Sequence, residues 1–62
     1  METIYVIEEF IGIGIWQLFH SYYYPNKQLA EEEKDKYLTI LKKRDKNAKL
    51  RVIPITRYTI KT

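Results

Sequence analysis

The chain's only two glycines, Gly12 and Gly14, flank a single residue and separate two runs of bulky side chains. The first run, residues 3–10, reads Thr-Ile-Tyr-Val-Ile-Glu-Glu-Phe, and the second, Ile15 to Tyr24, contains Trp16, Phe19 and Tyr22-Tyr23-Tyr24. β-Branched and aromatic residues suit a pleated strand. Glycine supplies the backbone freedom a tight reversal needs. The pattern predicts an antiparallel hairpin with its turn at Gly12-Ile13-Gly14. A phosphate-binding glycine loop is the competing reading, but such a loop must open a helix, and here a strand follows.

Pro25-Asn26 ends the second run, and Asn26 suits a helix N-cap because its side-chain oxygen can accept from an unpaired first-turn N–H. From Lys27 to about Lys46 the period turns helical, with Leu29, Ala30, Tyr37, Ile40 and Leu41 on one face and Glu33 and Arg44 at its margins. Glu31-Glu32-Glu33 lie toward the positive end of the helix dipole and Lys42-Lys43-Arg44 toward its negative end. Glu32 and Lys36 form an expected i,i+4 pair. Asn47 is the expected left-handed stop. Leu50 to Ile60 reads as a third strand, bent or interrupted at Pro54, which cannot donate to a ladder. Thr56 to Thr62 either extends it or forms a tail. The order is β-β-α-β. A helix of this length returns the chain across the sheet, so the expected architecture is α+β: a three-stranded antiparallel sheet, order 2-1-3, with one helix on one face and a single domain over residues 1–62.

At 62 residues such a chain buries only about 60% of the surface its unfolded form exposes. Without cysteine, neither disulfides nor thiolate metal sites can staple it, and the lone His20 cannot build a histidine zinc site. No metal or cofactor is expected. Packing or a second chain must supply the stability. No basic leader with a cleavage site is visible, and the most apolar stretch, Phe10 to Phe19, falls short of the ~20 residues of a spanning helix. The expectation is a soluble protein without a membrane role.

One helix covers one face of a sheet, and the other face should then alternate cleanly to polar residues. These strands do not comply. Ile4 and Val6 oppose Tyr5 and Ile7; Leu50 and Val52 oppose Ile53 and Ile55; Trp16, Leu18, His20, Tyr22 and Tyr24 oppose Ile15, Phe19 and Tyr23. Arg51 alternates with Leu50 and Val52 and would be costly inside. That places Ile4, Val6, Leu50 and Val52 under the helix. Tyr5, Ile7, Phe19, Tyr23, Arg51 and Ile53 then form an open face, with the aromatic, aliphatic and arginine mixture of an interface core. A patch of that size on a monomer asks for a cover, either another protein or a second copy, the latter making the chain a homodimeric structural or assembly factor.

Catalytic constellations are not expected. Glu8 and Glu9 are consecutive on a strand and point to opposite faces, as do His20 and Ser21, whereas acid–base pairs and nucleophile–base pairs must converge. His20 reads as a partly buried or interface histidine with an ordinary hydrogen bond. The Glu31–Glu33 run reads as a solvated early helix turn. The expectation is a protein that is not an enzyme.

Charge is divided unevenly. Residues 1–33 carry six acids against Lys27, for −5, and residues 34–62 carry ten bases against Asp35 and Asp45, for +8. With aromatic residues on a sheet to stack bases, Lys42, Lys43, Arg44, Lys46, Lys49 and Arg57 form an alternative nucleic-acid-binding set.

Several segments together carry a resemblance: Ile4-Tyr5-Val6-Ile7-Glu8-Glu9-Phe10, the turn glycine Gly14 with Trp16, the paired Tyr23-Tyr24, Ala30-Glu31-Glu32, and Ala48-Lys49-Leu50-Arg51-Val52. Over nearly its whole length the chain resembles small bacteriophage-encoded accessory proteins of β-β-α-β type. The resemblance implies a viral protein working in the cytoplasm of a bacterial host. It also implies a host enzyme or defence factor as the partner, which the protein binds and inhibits or modulates. No catalytic or ligand residue is carried over by it.

Overall fold

A computed structural model describes residues 2–57. Strand β1 spans Glu2–Gly12, β2 spans Ile15–Leu18, helix α1 spans Lys27–Lys42 and β3 spans Leu50–Arg57. The three strands form one antiparallel sheet in the order β2-β1-β3, so the expected topology holds. The Cα trace is 14 Å deep along its shortest axis, which leaves room for one helix layer on one sheet and no more.

The hairpin closes through a two-residue turn. Ile13 has φ 46° and Gly14 φ 71°, the double positive φ that matches the twist of the flanking strands. Gly12 has φ 117° and sits where the β1–β2 register slips between Phe10 and Gly12. Glycine suits two of these positions; Ile13 is a β-branched residue in left-handed backbone and is 98% exposed.

Side chains directly opposite each other in an antiparallel pair share a face, so the β1–β3 register assigns the two surfaces. Tyr5 lies opposite Pro54, Ile7 opposite Val52 and Glu9 opposite Leu50. Ile4 lies opposite Ile55, Val6 opposite Ile53 and Glu8 opposite Arg51. Helix α1 packs against β1 and β3 on the first of these faces, where Ile7 is fully buried, Leu50 is 8% exposed and Ala30 of the helix is fully buried. Phe19 joins them, its ring 5.3 Å from that of Tyr37 on α1.

The expected face assignment therefore needs correction in two strands. In β3 it holds, with Leu50 and Val52 under the helix and Arg51 and Ile53 outside. In β1 it is inverted: Tyr5 and Ile7 are on the helix side, and Ile4 and Val6 face away. Phe19, expected on the open side, also lies under the helix, whereas Tyr23 is open as expected. Arg51 marks the faces of β3 because a charged side chain is costly to bury unpaired. In β1 the charged residues lie toward its ends, Glu2 at the start and Glu8-Glu9 with one carboxylate on each face, so none marks Ile4 to Ile7 by itself.

The second strand is shorter than the run of aromatics suggests. Pairing with β1 continues to Phe19, whose N–H donates to Ile7 O at 2.9 Å, then lapses and resumes when Tyr5 and Tyr24 exchange two backbone hydrogen bonds of 2.9 and 2.8 Å. Between them the chain bends, with Tyr22 N–H donating to His20 Nδ1 at 3.2 Å. That local bond replaces the ladder a straight strand would have made.

Asn26 caps α1 as expected, accepting from Leu29 N–H at 2.9 Å. The helix stops four residues short of the expected Lys46, at Lys42, with Lys43 as a right-handed cap. No left-handed residue other than Ile13 and the two glycines occurs among the described residues, so Asn47 does not stop the helix; its N–H instead donates to Asp45 Oδ1 at 2.9 Å. Glu31–Glu33 fall in the second turn, beyond the first-turn donors. The expected Glu32–Lys36 pair is absent among the described residues; Lys34 pairs with Glu31 at 3.0 Å and Asp35 at 3.5 Å. The buried stripe also differs, since Leu29 and Ile40 are 42% and 52% exposed while Ala30, Tyr37, Leu38 and Leu41 turn inward.

Pro54 does not interrupt β3. Tyr5 spends its N–H and C=O on Tyr24, away from β3, so its opposite residue Pro54 directs its own backbone groups to the outer edge. The missing donor costs no bond within the sheet and leaves a gap in the edge, a device that discourages strand addition. The part of the expected third strand beyond Arg57 lies outside the described residues.

Two predictions follow from this geometry. Ile13→Asn, which tolerates left-handed backbone and loses no packing, should raise unfolding stability by about 1 kcal/mol in urea titrations; an unchanged or lowered midpoint would contradict the strained turn. Pro54→Thr should restore the outer donor, and light scattering should then show mass rising with concentration. A mass that stays flat at every concentration would mean that the proline does not guard this edge.

Candidate functional site

The sheet face turned away from α1 carries Ile4, Val6, Glu8 and Phe10 of β1, Trp16 and Leu18 of β2, and Arg51, Ile53, Ile55 and Arg57 of β3. No helix or strand among the described residues packs on it. Val6, at its centre on the middle strand, is nevertheless 7% exposed, while Leu18 and Ile55 toward its margins are 52% and 41% exposed.

Two arginines organise this surface. Arg51 Nε and Nη2 both donate to Glu8 Oε1, at 2.9 and 2.7 Å, and its guanidinium lies 4.2 Å from the centroid of Trp16. Trp16 in turn meets Phe10 edge-on at 5.3 Å, and Lys49 Nζ stands 5.4 Å over the Phe10 ring. At the other end, Arg57 pairs with Glu2 and lies 4.8 Å over the ring of Tyr23. The contacts with Tyr23 and Glu2 both raise the Arg57 pKa further above its ordinary value, Tyr23 contributing the larger share. A guanidinium stacked on an aromatic face contributes about 0.5–1 kcal/mol at an exposed site, and an exposed ion pair about as much or less. Neither stack accounts for much of the stability. What they do is hold two cations over aromatic rings.

Of the residues expected on the binding face, the structure thus brings Arg51, Ile53 and Tyr23 together and removes Tyr5, Ile7 and Phe19 to the helix side. Trp16, Leu18, Ile55 and Arg57 take the vacated places. The sequence holds a signal for this arrangement: Glu2 and Glu8 are six residues apart, as are Arg51 and Arg57. Setting the two pairs opposite each other in an antiparallel ladder fixes the register and, with it, both faces of β1.

The nucleic-acid set is split. Lys42, Lys43, Arg44, Lys46 and Lys49 gather around the end of α1 and the following loop, while Arg57 lies at the far end of β3 with Glu2. His20 lies in an aromatic cluster, its ring 5.2 Å from Phe19 and Tyr22 and 5.5 Å from Tyr37, with Nε2 3.3 Å from the Tyr24 hydroxyl. Burial, and then the nearby Glu33 carboxylate, raise the Tyr24 phenol above its ordinary value, so it stays a neutral hydrogen-bonding partner at physiological pH. Glu8 is engaged with Arg51, and Glu9 is on the opposite face. Among the described residues no three His, Asp or Glu side chains gather as metal ligands, and no helix is long and apolar enough to cross a membrane.

Comparison with known proteins finds no family model, no curated protein and no solved structure that matches this chain.

Proposed function

We propose that this protein is a non-enzymatic binding module that docks the helix-free face of its sheet on another protein. The observation that carries the reading is the composition of that face: Trp16 under Arg51, Tyr23 under Arg57, and the exposed aliphatic side chains of Leu18 and Ile55 beside them. Tryptophan, tyrosine and arginine dominate the residues that carry protein–protein binding energy. Arginines already held over rings have less conformational freedom left to lose on docking. Pro54 discourages addition of a strand to the β3 edge, which favours the face over that edge as the contact.

The resemblance to bacteriophage accessory proteins supplies the partner class in this proposal. It makes the partner a bacterial host protein, and inhibition or modulation of that protein the consequence of binding.

A photo-crosslinking amino acid placed at Leu18 or Ile55, and separately at Glu32 on the outer side of the helix, tests the docking face in a bacterial lysate. The expected result is one discrete adduct from the two sheet positions and none from Glu32. The adduct should be lost on Arg51→Ala with the circular-dichroism spectrum retained. Adducts from Glu32 alone, or adducts from the sheet positions that survive Arg51→Ala, would contradict the docking face.

A further inference from the structure

Strain and exposure coincide at one end of the molecule. Ile11, Ile13 and Ile15 surround the hairpin turn and are 51%, 98% and 56% exposed. Ile13 combines a β-branched side chain with φ 46°, a conformation asparagine or glycine adopts with less strain. Nothing in the fold compensates for it, since its side chain is almost wholly in water. A strained residue that contributes no packing is a reason to look for a contact outside the chain.

The same end carries the molecule's densest positive charge. Phe10 N–H donates to Lys49 O at 3.0 Å, and an open groove joins Glu9, Phe10, Ile11 and Gly12 of the hairpin to Asp45 and Asn47 of the loop after α1. Around that loop Lys42, Lys43, Arg44, Lys46 and Lys49 are all exposed. None of them is in an ion pair among the described residues. Two carboxylates lie near the cluster: Asp45, which already accepts from Asn47 N–H, and Glu9, which lines the groove. The helix dipole accounts for Lys42, the one basic residue in the last turn; the other four lie beyond it.

We propose that this end of the protein docks on the surface of an anionic lipid bilayer. The isoleucine tip enters the boundary between headgroups and acyl chains, and the five cations meet the lipid phosphates. Aliphatic side chains beside a lysine-rich cluster are the chemistry of peripheral attachment to such a surface. From Ile11 to Ile15 no side chain can donate or accept a hydrogen bond, so the tip's side chains offer apolar contact alone.

Geometry separates a bilayer from a nucleic-acid duplex. An apolar wedge entering a groove would draw the hairpin arms between two phosphate rails, and those arms carry Glu8 and Glu9 and no cation. A planar surface meets only the tip and the loop. Glu9, which lines the groove between them, offsets one of the five cations and leaves the loop net positive. A chain too short in apolar residues to span a bilayer can still attach to one by its end. This contact is separate from the open sheet face and does not depend on it.

The test is co-sedimentation of the full chain with phosphatidylglycerol–phosphatidylcholine vesicles, beside pure phosphatidylcholine vesicles and a mixed-sequence DNA duplex in a mobility-shift arm. Binding to the anionic vesicles should exceed binding to the zwitterionic ones by about tenfold or more at low salt and weaken as salt rises. Ile13→Asn, which relieves the turn, should lower vesicle binding about threefold or more while leaving the protein folded. Reversal of Lys42, Lys43 and Lys46 to Glu should abolish it. No binding to anionic vesicles, or binding that Ile13→Asn leaves unchanged, would overturn the proposal. So would binding to the duplex tighter than to the vesicles, which would assign the cations to nucleic acid.

Discussion

Eight residues of β1 lie opposite eight of β3, and the rest of the molecule depends on where that ladder is set. A shift of one residue in β1 would exchange its two faces. In the register that forms, Ile7 goes under the helix with Val52, and Val6 goes outside with Ile53. Hydrophobic pattern alone does not choose between these settings, because both faces of β1 are apolar from Ile4 to Ile7. Charge does. Glu8 meets Arg51 and Glu2 meets Arg57 only when the strands are aligned as they are, and a slip by one would bring neither acid opposite its arginine. Each pair is worth little as a surface salt bridge, yet the two together discriminate against the alternatives.

The same register explains why the uncovered face looks as it does. Arg51 and Arg57 share a face with Trp16 and Tyr23, and no helix or strand among the described residues covers them. The fold's constraint and its proposed use are therefore linked: the one helix among the described residues packs on one face, and the other keeps its aromatics and arginines. Pro54 fits the same picture from the side. The outer edge of β3 would otherwise present a continuous row of donors, and the proline removes one at a position where the sheet itself loses nothing.

Much of this was legible in the sequence, and the exceptions have physical causes. Period-two and period-3.6 patterns, the glycine turn and the Asn26 cap were enough for the order of elements and the sheet topology. The faces of β3 were legible because Arg51 cannot be buried alone. The faces of β1 were not, since its apolar residues suit either side, and the matched spacing of Glu2–Glu8 and Arg51–Arg57 was the available clue. The aromatic run after Leu18 reads as strand, but His20 draws the Tyr22 N–H to its own ring and the chain bends there; such local competition leaves no trace in residue type. The helix ended early for a similar reason. Beyond Lys42 no inward-facing apolar residue rewards another turn, so the charged residues up to Lys46 turn off the helix although their propensities allow it.

Ile7 is sealed between sheet and helix, while Leu18 and Ile55 at the margins of the opposite face stand in water. A soluble paramagnetic relaxation agent read out by methyl NMR measures this directly, site by site. Leu18 and Ile55 methyls should relax strongly, and those of Ile7 should be protected at every agent concentration. Strong relaxation at Ile7, or protection at Leu18 and Ile55 equal to that of Ile7, would contradict the assignment of the two faces.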